Sequence, residues 1–309
     1  MTSKETRISA AVPAGSERLL RAATTASVTV AATLVLVKFA AWLLTDSVSL
    51  LSTLVDSLLD VAASFLNLLA VRHALEPPDR EHRFGHGKAE PLGALGQAAF
   101  ITGSALFVLI EAGQRLYEPE PVLHSEIGIG VMLFSIVITF ALTRFQAFVV
   151  RRTGSVAIRA DSLHYLGDLL TNGAVVLAIV LATTFGLEYA DPLFAILIAA
   201  YILKTAWSIS GGALDMLMDR ELPDEDRQRI KQIALGHAGV IALHDLRTRA
   251  AGPTSFIQLH IEMDGQMTLL EAHRIADDVE KALREAFPRA EVVIHQDPYG
   301  AETPRVVEL

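Results

Sequence analysis

The stretch SVSLLSTLVDSLLDVAASFLNLLAV, residues 47–71, sets two carboxylates, Asp56 and Asp60, near the middle of a run that carries no other charge. A bilayer core about 30 Å thick is crossed by about 20 mostly apolar helical residues, so this run is long enough to span one. Four positions apart on a helix, the two acids share one face, a turn from each other. Ionised carboxylates there repel one another and are poorly solvated, and such residues usually mark an ion or proton pathway. The plainer alternative is a pair kept neutral and used for helix packing.

Outward from this run the same pattern recurs. Long apolar stretches cover Ala22 to Thr45, Pro91 to Gly113, Ile127 to Val150, Val156 to Leu187 and Pro192 to Leu214, which with Ser47 to Val71 makes six expected spans. The first is too long for a signal-peptide core and no small-residue cleavage site follows it. Basic residues alternate sharply between the connections. Lys4, Arg7, Arg18 and Arg21 precede the first span; Arg72, Arg80, Arg83 and Lys88 join the second to the third; Arg144, Arg151, Arg152 and Arg159 surround the fourth-to-fifth connection. The three opposite connections hold Arg115 alone. By the positive-inside rule both termini are expected in the cytoplasm.

The whole composition agrees with a membrane protein: 51% hydrophobic residues, 20% charged and a mean hydropathy of +0.40. A net charge of −9 and the lack of a basic arm argue against nucleic acid as a partner. Without cysteine, disulfides, thiolate metal sites and cysteine nucleophiles are excluded, leaving His and carboxylates as ligands. From Asp219 onward the character changes to a soluble domain with no long apolar run. Pro223 and the acids Asp224 to Asp226 suit a helix start. Strands are expected over Val240 to Arg249, Ser255 to Met263 and Glu291 to His295, with a helix opened by the Thr268–Glu271 capping box and running to about Phe287. The order αββαβ predicts a small α+β domain of ferredoxin-like type. The expected divisions are a cytoplasmic segment 1–21, a six-helix all-α transmembrane bundle 22–218, the cytoplasmic domain 219–298 and a tail 299–309.

The fifth span repeats the device of the second. His164 and Asp168 are four apart, with Asn172 a further turn along the same face. If the two pairs meet, three carboxylates and one imidazole suit a tetrahedral site for a borderline divalent ion such as Zn²⁺, whereas Mg²⁺ favours an octahedral oxygen shell. Asp161, one turn before His164, could guide ions or satisfy a helix start. Lys38 and Glu111 read as structural charges, and Gly96, Ala99 and Gly103 form a small-residue stripe suited to close helix packing. After the second span, Asp79, His82 and His86 have a spacing open to two readings, a metal site with Glu81 as a substitute ligand or a solvated basic turn. In the soluble domain, alternation directs His260, His295 and Asp297 away from the core face onto one exposed sheet face. His237 reads as a surface residue.

The sequences DSLLD at 56–60, RADSLHYLGD at 159–168 and FGHGKAE at 84–90 together resemble the cation diffusion facilitator family, among its bacterial zinc and iron efflux members, over nearly the whole chain after about Arg18. The resemblance implies a homodimeric divalent-metal/proton antiporter of the bacterial inner membrane, with Zn²⁺ as substrate and as a regulatory ligand. It implies a transport site at Asp56, Asp60, His164 and Asp168, and a second, weaker site at Asp79, His82 and His86. It maps His244, His260, His273, His295 and Asp297 onto a cytoplasmic binuclear zinc site near the dimer interface. Lys88 and Asp219 match charges that interlock the protomers.

Ligand chemistry supplies the expected coupling. A metal needs neutral imidazole and ionised carboxylates, so metal and protons compete for Asp56, Asp60, His164 and Asp168. His164 is the natural switch, because imidazole titrates near pH 6.5. Two rival classes are an intramembrane metal-dependent enzyme and a passive divalent-metal channel. Against the enzyme, the chain has no His-Glu-x-x-His helix, nucleophile elbow or phosphate loop. The ligand set alone does not separate Zn²⁺ from Cd²⁺, Fe²⁺ or Mn²⁺.

Overall fold

A computed structural model describes residues 15–46, 48–117, 126–185 and 189–301. The basic residues Lys4 and Arg7 and the tail from residue 302 lie outside the described residues, as does the side chain of Arg115. Six long helices come first: α1 (Ser16–Thr45), α2 (Val48–Ala74), α3 (Ala89–Tyr117), α4 (Glu126–Thr153), α5 (Val156–Phe185) and α6 (Ala190–Leu217). Five of them are long and apolar enough to cross a membrane; α5, of similar length, carries Arg159, Asp161, His164 and Asp168 in its first half. The first helix begins at Ser16, inside the segment expected to precede the bundle, so that expected boundary at residue 22 falls within α1.

The bundle is apolar outside and small or polar within. Leu36, Leu44, Val137, Phe107 and Trp207 are exposed, as lipid-facing side chains would be. Ala23, Ala94, Ala98, Ala160 and Ala213 are fully buried, which lets helix backbones approach closely. The expected stripe on α3 divides between two roles. A Cβ on Gly93 would lie 2.4 Å from the Ala70 methyl and one on Gly96 2.9 Å from Leu66, so α2 and α3 touch there. Gly103 has open space in front of it and, with Ala99, lines a cavity instead.

The C-terminal domain consists of α7 (Asp224–Leu235), β1 (Ala242–Ala251), β2 (Thr254–Met263), α8 (Leu269–Ala286) and β3 (Ala290–Pro298), the expected αββαβ order. β1 pairs antiparallel with β2, and β2 pairs parallel with β3. Ile230, Ile257, Leu259, Ile261, Val279, Leu283 and Phe287 form the core between the sheet and its helices. Thr268 and Glu271 form the capping box that starts α8, and the backbone N–H of Thr268 holds the Glu271 carboxyl below its usual range. His237 caps the end of α7, its Nδ1 lying 2.8 Å from the Ile233 carbonyl oxygen.

Candidate metal centre

Helical spacing brings the two i,i+4 pairs to one place. Asp60 Oδ1 lies 3.0 Å from His164 Nε2, and Asp168 Oδ2 lies 4.0 Å from the same nitrogen. Ligand atoms of Asp60, His164 and Asp168 all lie within 4.8 Å of one another. His164 is buried, while Asp60 and Asp168 are half-buried. These groups line a cavity of about 870 Å³. Asp56 and Asn172 line it too, but Asp56 is exposed and stands outside the three-residue cluster. The structure therefore assembles three of the four expected ligands and keeps the fourth on the same wall, one turn away. Lys38 and Glu111 also line the cavity. Lys38 donates from Nζ to Ser57 Oγ at 2.6 Å and to the Thr53 carbonyl at 3.2 Å.

The cavity is lined by the later half of α1, the middle and later half of α3, the middle of α2 and α5, and the earlier halves of α4 and α6. It therefore runs from the middle of the bundle toward the end remote from the C-terminal domain. On the near side the bundle is closed by a polar network that the sequence reading missed. Asp161, fully buried, accepts hydrogen bonds from Ser27 at 2.5 Å, Gln97 at 2.8 Å and Gln146 at 2.7 Å, tying together α1, α3, α4 and α5. Tyr165 adds hydrogen bonds with Ser64 at 2.7 Å and with the Ser27 carbonyl at 3.2 Å. Buried polar groups need such partners, and the donors of Ser27, Gln97 and Gln146 find theirs on Asp161, while the amide oxygens of Gln97 and Gln146 make no hydrogen bond. Asp161, read from the sequence as an ion guide or a helix-start acid, is the knot of this network. The available signal was the presence of Ser27, Gln97 and Gln146 inside apolar runs.

Between α2 and α3, Asp79 folds the turn. Its Oδ1 accepts the backbone N–H of His82 at 2.6 Å and of Glu81 at 2.8 Å, and these bonds, that of His82 foremost, hold the carboxyl below the usual range. His86 Nε2 lies 3.4 Å from Asp79 Oδ2 and 3.2 Å from His82 Nδ1, so the three candidate ligands come together.

The soluble domain carries a row of histidines. Register puts His244, His260 and His295 opposite one another on β1, β2 and β3, with ring centroids 5.0 and 4.5 Å apart. Asp297 meets all three: His260 Nδ1 at 2.8 Å, His295 Nε2 at 3.1 Å and His244 Nε2 at 3.4 Å. The face expected to be exposed is only partly so, because Asp297 and His244 are buried among their neighbours. A bulge after His244, with Asp245 at φ 49°, turns a second carboxylate inward 3.5 Å from His244 Nδ1, and Glu262 lies 3.5 Å from Nε2. Neither ring nitrogen of His244 makes a hydrogen bond. A buried imidazole ringed by carboxylates is a donor set that a divalent ion fits. His273 stands apart on α8, exposed and 3.5 Å from Asp277, so one chain does not bring it to the other four expected ligands.

The two halves meet at the α2–α3 turn. Phe84 packs edge-on against Phe256 at 5.8 Å, and the Arg249 guanidinium lies 5.4 Å from the Phe84 ring. Lys88 Nζ pairs with Asp219 Oδ1 at 3.0 Å, and Arg249 reaches Asp219 at 3.3 Å, so these charges tie turn to domain within one chain. Partial burial alone would raise the Asp219 carboxyl, but the hydrogen bonds from Lys88 and Arg249 outweigh it and keep it below the usual range.

Comparison with known proteins follows the same division. The family model described as the cation efflux transmembrane domain matches residues 24–218, and that of the cation efflux protein cytoplasmic domain matches residues 222–299. The chain is 51% identical over 281 residues to the cation-efflux pump FieF of Yersinia enterocolitica, covering 91% of this chain and 93% of that one. It is 50% identical over 284 residues to FieF of Pectobacterium atrosepticum, covering 92% and 94%. A solved structure of CzrB in a zinc form is 38% identical, covers 28% of this chain and 98% of its own, and has a TM-score of 0.25.

Proposed function

This chain belongs to the cation efflux family of multi-pass membrane transporters, and from that premise we propose that it exports Zn²⁺ from the cytoplasm in exchange for protons. The observation that carries the reading is the convergence of Asp60, His164 and Asp168 across the α2–α5 interface at a cavity of about 870 Å³. Asp56, on the same wall, supplies a fourth ligand when its side chain turns inward. One imidazole among carboxylates suits Zn²⁺ and its chemical neighbours Cd²⁺ and Fe²⁺. The Asp60–His164 contact is where coupling arises. A proton shared between these two groups and a metal bound to both are mutually exclusive, so each arriving ion displaces protons and each proton load expels the ion.

The alternation of basic residues supports an orientation with both termini and the C-terminal domain in the cytoplasm, and the family supports a bacterial inner membrane. A cavity that runs from mid-bundle toward the end remote from that domain, with the Asp161 network closing the near side, then corresponds to the releasing state of an alternating-access cycle. His244, His260, His295 and Asp297 would hold zinc on the cytoplasmic domain. His273, exposed on α8, would join the site only through the second subunit of a homodimer. Such zinc would favour one dimer arrangement and so couple cytosolic metal to transport.

The test is zinc flux into proteoliposomes with an internal pH dye. Wild-type protein is expected to take up zinc with opposing proton movement, and His164→Ala and Asp168→Ala to lose both while eluting as folded protein. Wild-type rates in these variants would remove the site assignment. Zinc flux without proton movement would replace the antiporter with a channel.

A further inference from the structure

Outside the expected ligands, two side chains converge on the α2–α3 turn: His73, in the last turn of α2, and Glu76, just beyond it. Their Nδ1 and Oε2 atoms are 2.8 Å apart, and the His73 ring lies 4.5 Å from that of His86. Ligand atoms of His73, Glu76 and His86 all lie within 4.8 Å of one another. His86 thus belongs to two ligand groups, this one and Asp79–His82–His86.

The plain reading is a solvated His–Glu pair, and the state of His86 stands against it. The His86 side chain is only 6% exposed, its Nε2 faces Asp79 and His82, and its buried Nδ1 has no hydrogen-bond partner. A buried ring nitrogen without a partner is costly and calls for an explanation.

We propose that His73, Glu76 and His86 form a second divalent-cation position at the membrane edge, alternative to Asp79–His82–His86 and sharing His86 with it. A neutral imidazole offers one lone pair at a time, so His86 serves either set and the ion passes between them as the imidazole changes tautomer or turns. This makes the turn a two-step relay at the cytoplasmic end of α2, and it rests on the reading of the chain as a divalent-cation transporter.

The experiment is histidine modification by diethylpyrocarbonate on the purified full-length protein in detergent, with and without Zn²⁺, each histidine read separately by peptide mass spectrometry. Zinc is expected to protect His73 partially in the wild type, because the ion divides its time between two positions. Protection of His73 should become complete in Asp79→Ala/His82→Ala, which removes the competing set, and should disappear in Glu76→Gln. His73 labelling that ignores zinc in both the wild type and the double variant would overturn the proposal. His82 protection in that same wild-type sample would show that the loop site and the transporter reading survive its failure. Unchanged His73 protection in Glu76→Gln would equally overturn the assigned ligand set.

Discussion

Gly87→Ala tests how the turn carrying Asp79, His82 and His86 is held to the soluble domain. Gly87 does not have a positive φ, so its backbone alone accepts alanine. The obstacle is contact: an added Cβ would lie 2.1 Å from the Ala251 carbonyl oxygen and 2.7 Å from its carbon. These are backbone atoms at the end of β1, which cannot swing aside as a side chain does, and relief requires about 1 Å of separation between turn and domain. Separation weakens the Phe84–Phe256 edge contact, worth about 0.5–1.5 kcal/mol, and the Arg249–Phe84 stacking, worth about 0.5–1 kcal/mol. The half-exposed Lys88–Asp219 pair adds about 0–1 kcal/mol. The docked state should therefore lose about 1–3.5 kcal/mol, or about fivefold to a few hundredfold in its equilibrium. Hydrogen exchange of peptides covering 84–92 and 249–257 should speed up while the bundle core exchanges as before. Gly103→Ala, which meets open space, is the control. Unchanged exchange in Gly87→Ala, or an equal increase in Gly103→Ala, would refute the reasoning.

Gln146→Leu removes hydrogen-bond donors to both Ser27 and Asp161, and should lower thermal stability in detergent by about 1–3 kcal/mol while leaving zinc affinity unchanged; an unchanged melting curve would deny the network its structural role. Asp219 has a depressed carboxyl in the folded chain, so its contribution to docking is full above the unfolded pKa of about 3.9 and is lost as pH falls through the lower folded value. Spin-label distances between the α2–α3 turn and the β1–β2 turn should lengthen in that acid range for the wild type. In Asp219→Asn they should show no such step, and a pH-independent distance in the wild type would count against the tie. His260→Ala/His295→Ala should reduce the zinc bound per full-length chain and weaken the zinc dependence of dimerisation in sedimentation; zinc binding equal to wild type would remove these residues from the site.

The elements were legible where one local rule decides them. Apolar runs delimit the spans, the Thr268–Glu271 box fixes the start of α8, and the four-residue spacing of His164 and Asp168 survives in the structure as a common cavity wall. What stayed hidden depends on pairing between distant segments. Whether Ser27, Gln97 and Gln146 face one another depends on the rotations of three helices, which no single run specifies. The bulge at Asp245 is likewise a property of β1 against β2, and it alone explains why two adjacent side chains, His244 and Asp245, are both buried. The small-residue stripe on α3 has one local pattern and two outcomes, contact at Gly96 and cavity at Gly103, because α2 passes close to one and not the other.

These hidden features give the two halves of the bundle their different characters. The half near the soluble domain is tied by hydrogen bonds between neutral donors and the buried Asp161, with every partner on a different helix. Asp56, Asp60, His164 and Asp168 instead line the cavity that runs from mid-bundle toward the remote end. Opening the near half must break several bonds to Asp161 together. On the antiport proposal, an ion that neutralises the carboxylates favours closing the cavity without itself opening the near half, and that asymmetry keeps a proton gradient from dissipating through a pore open at both ends.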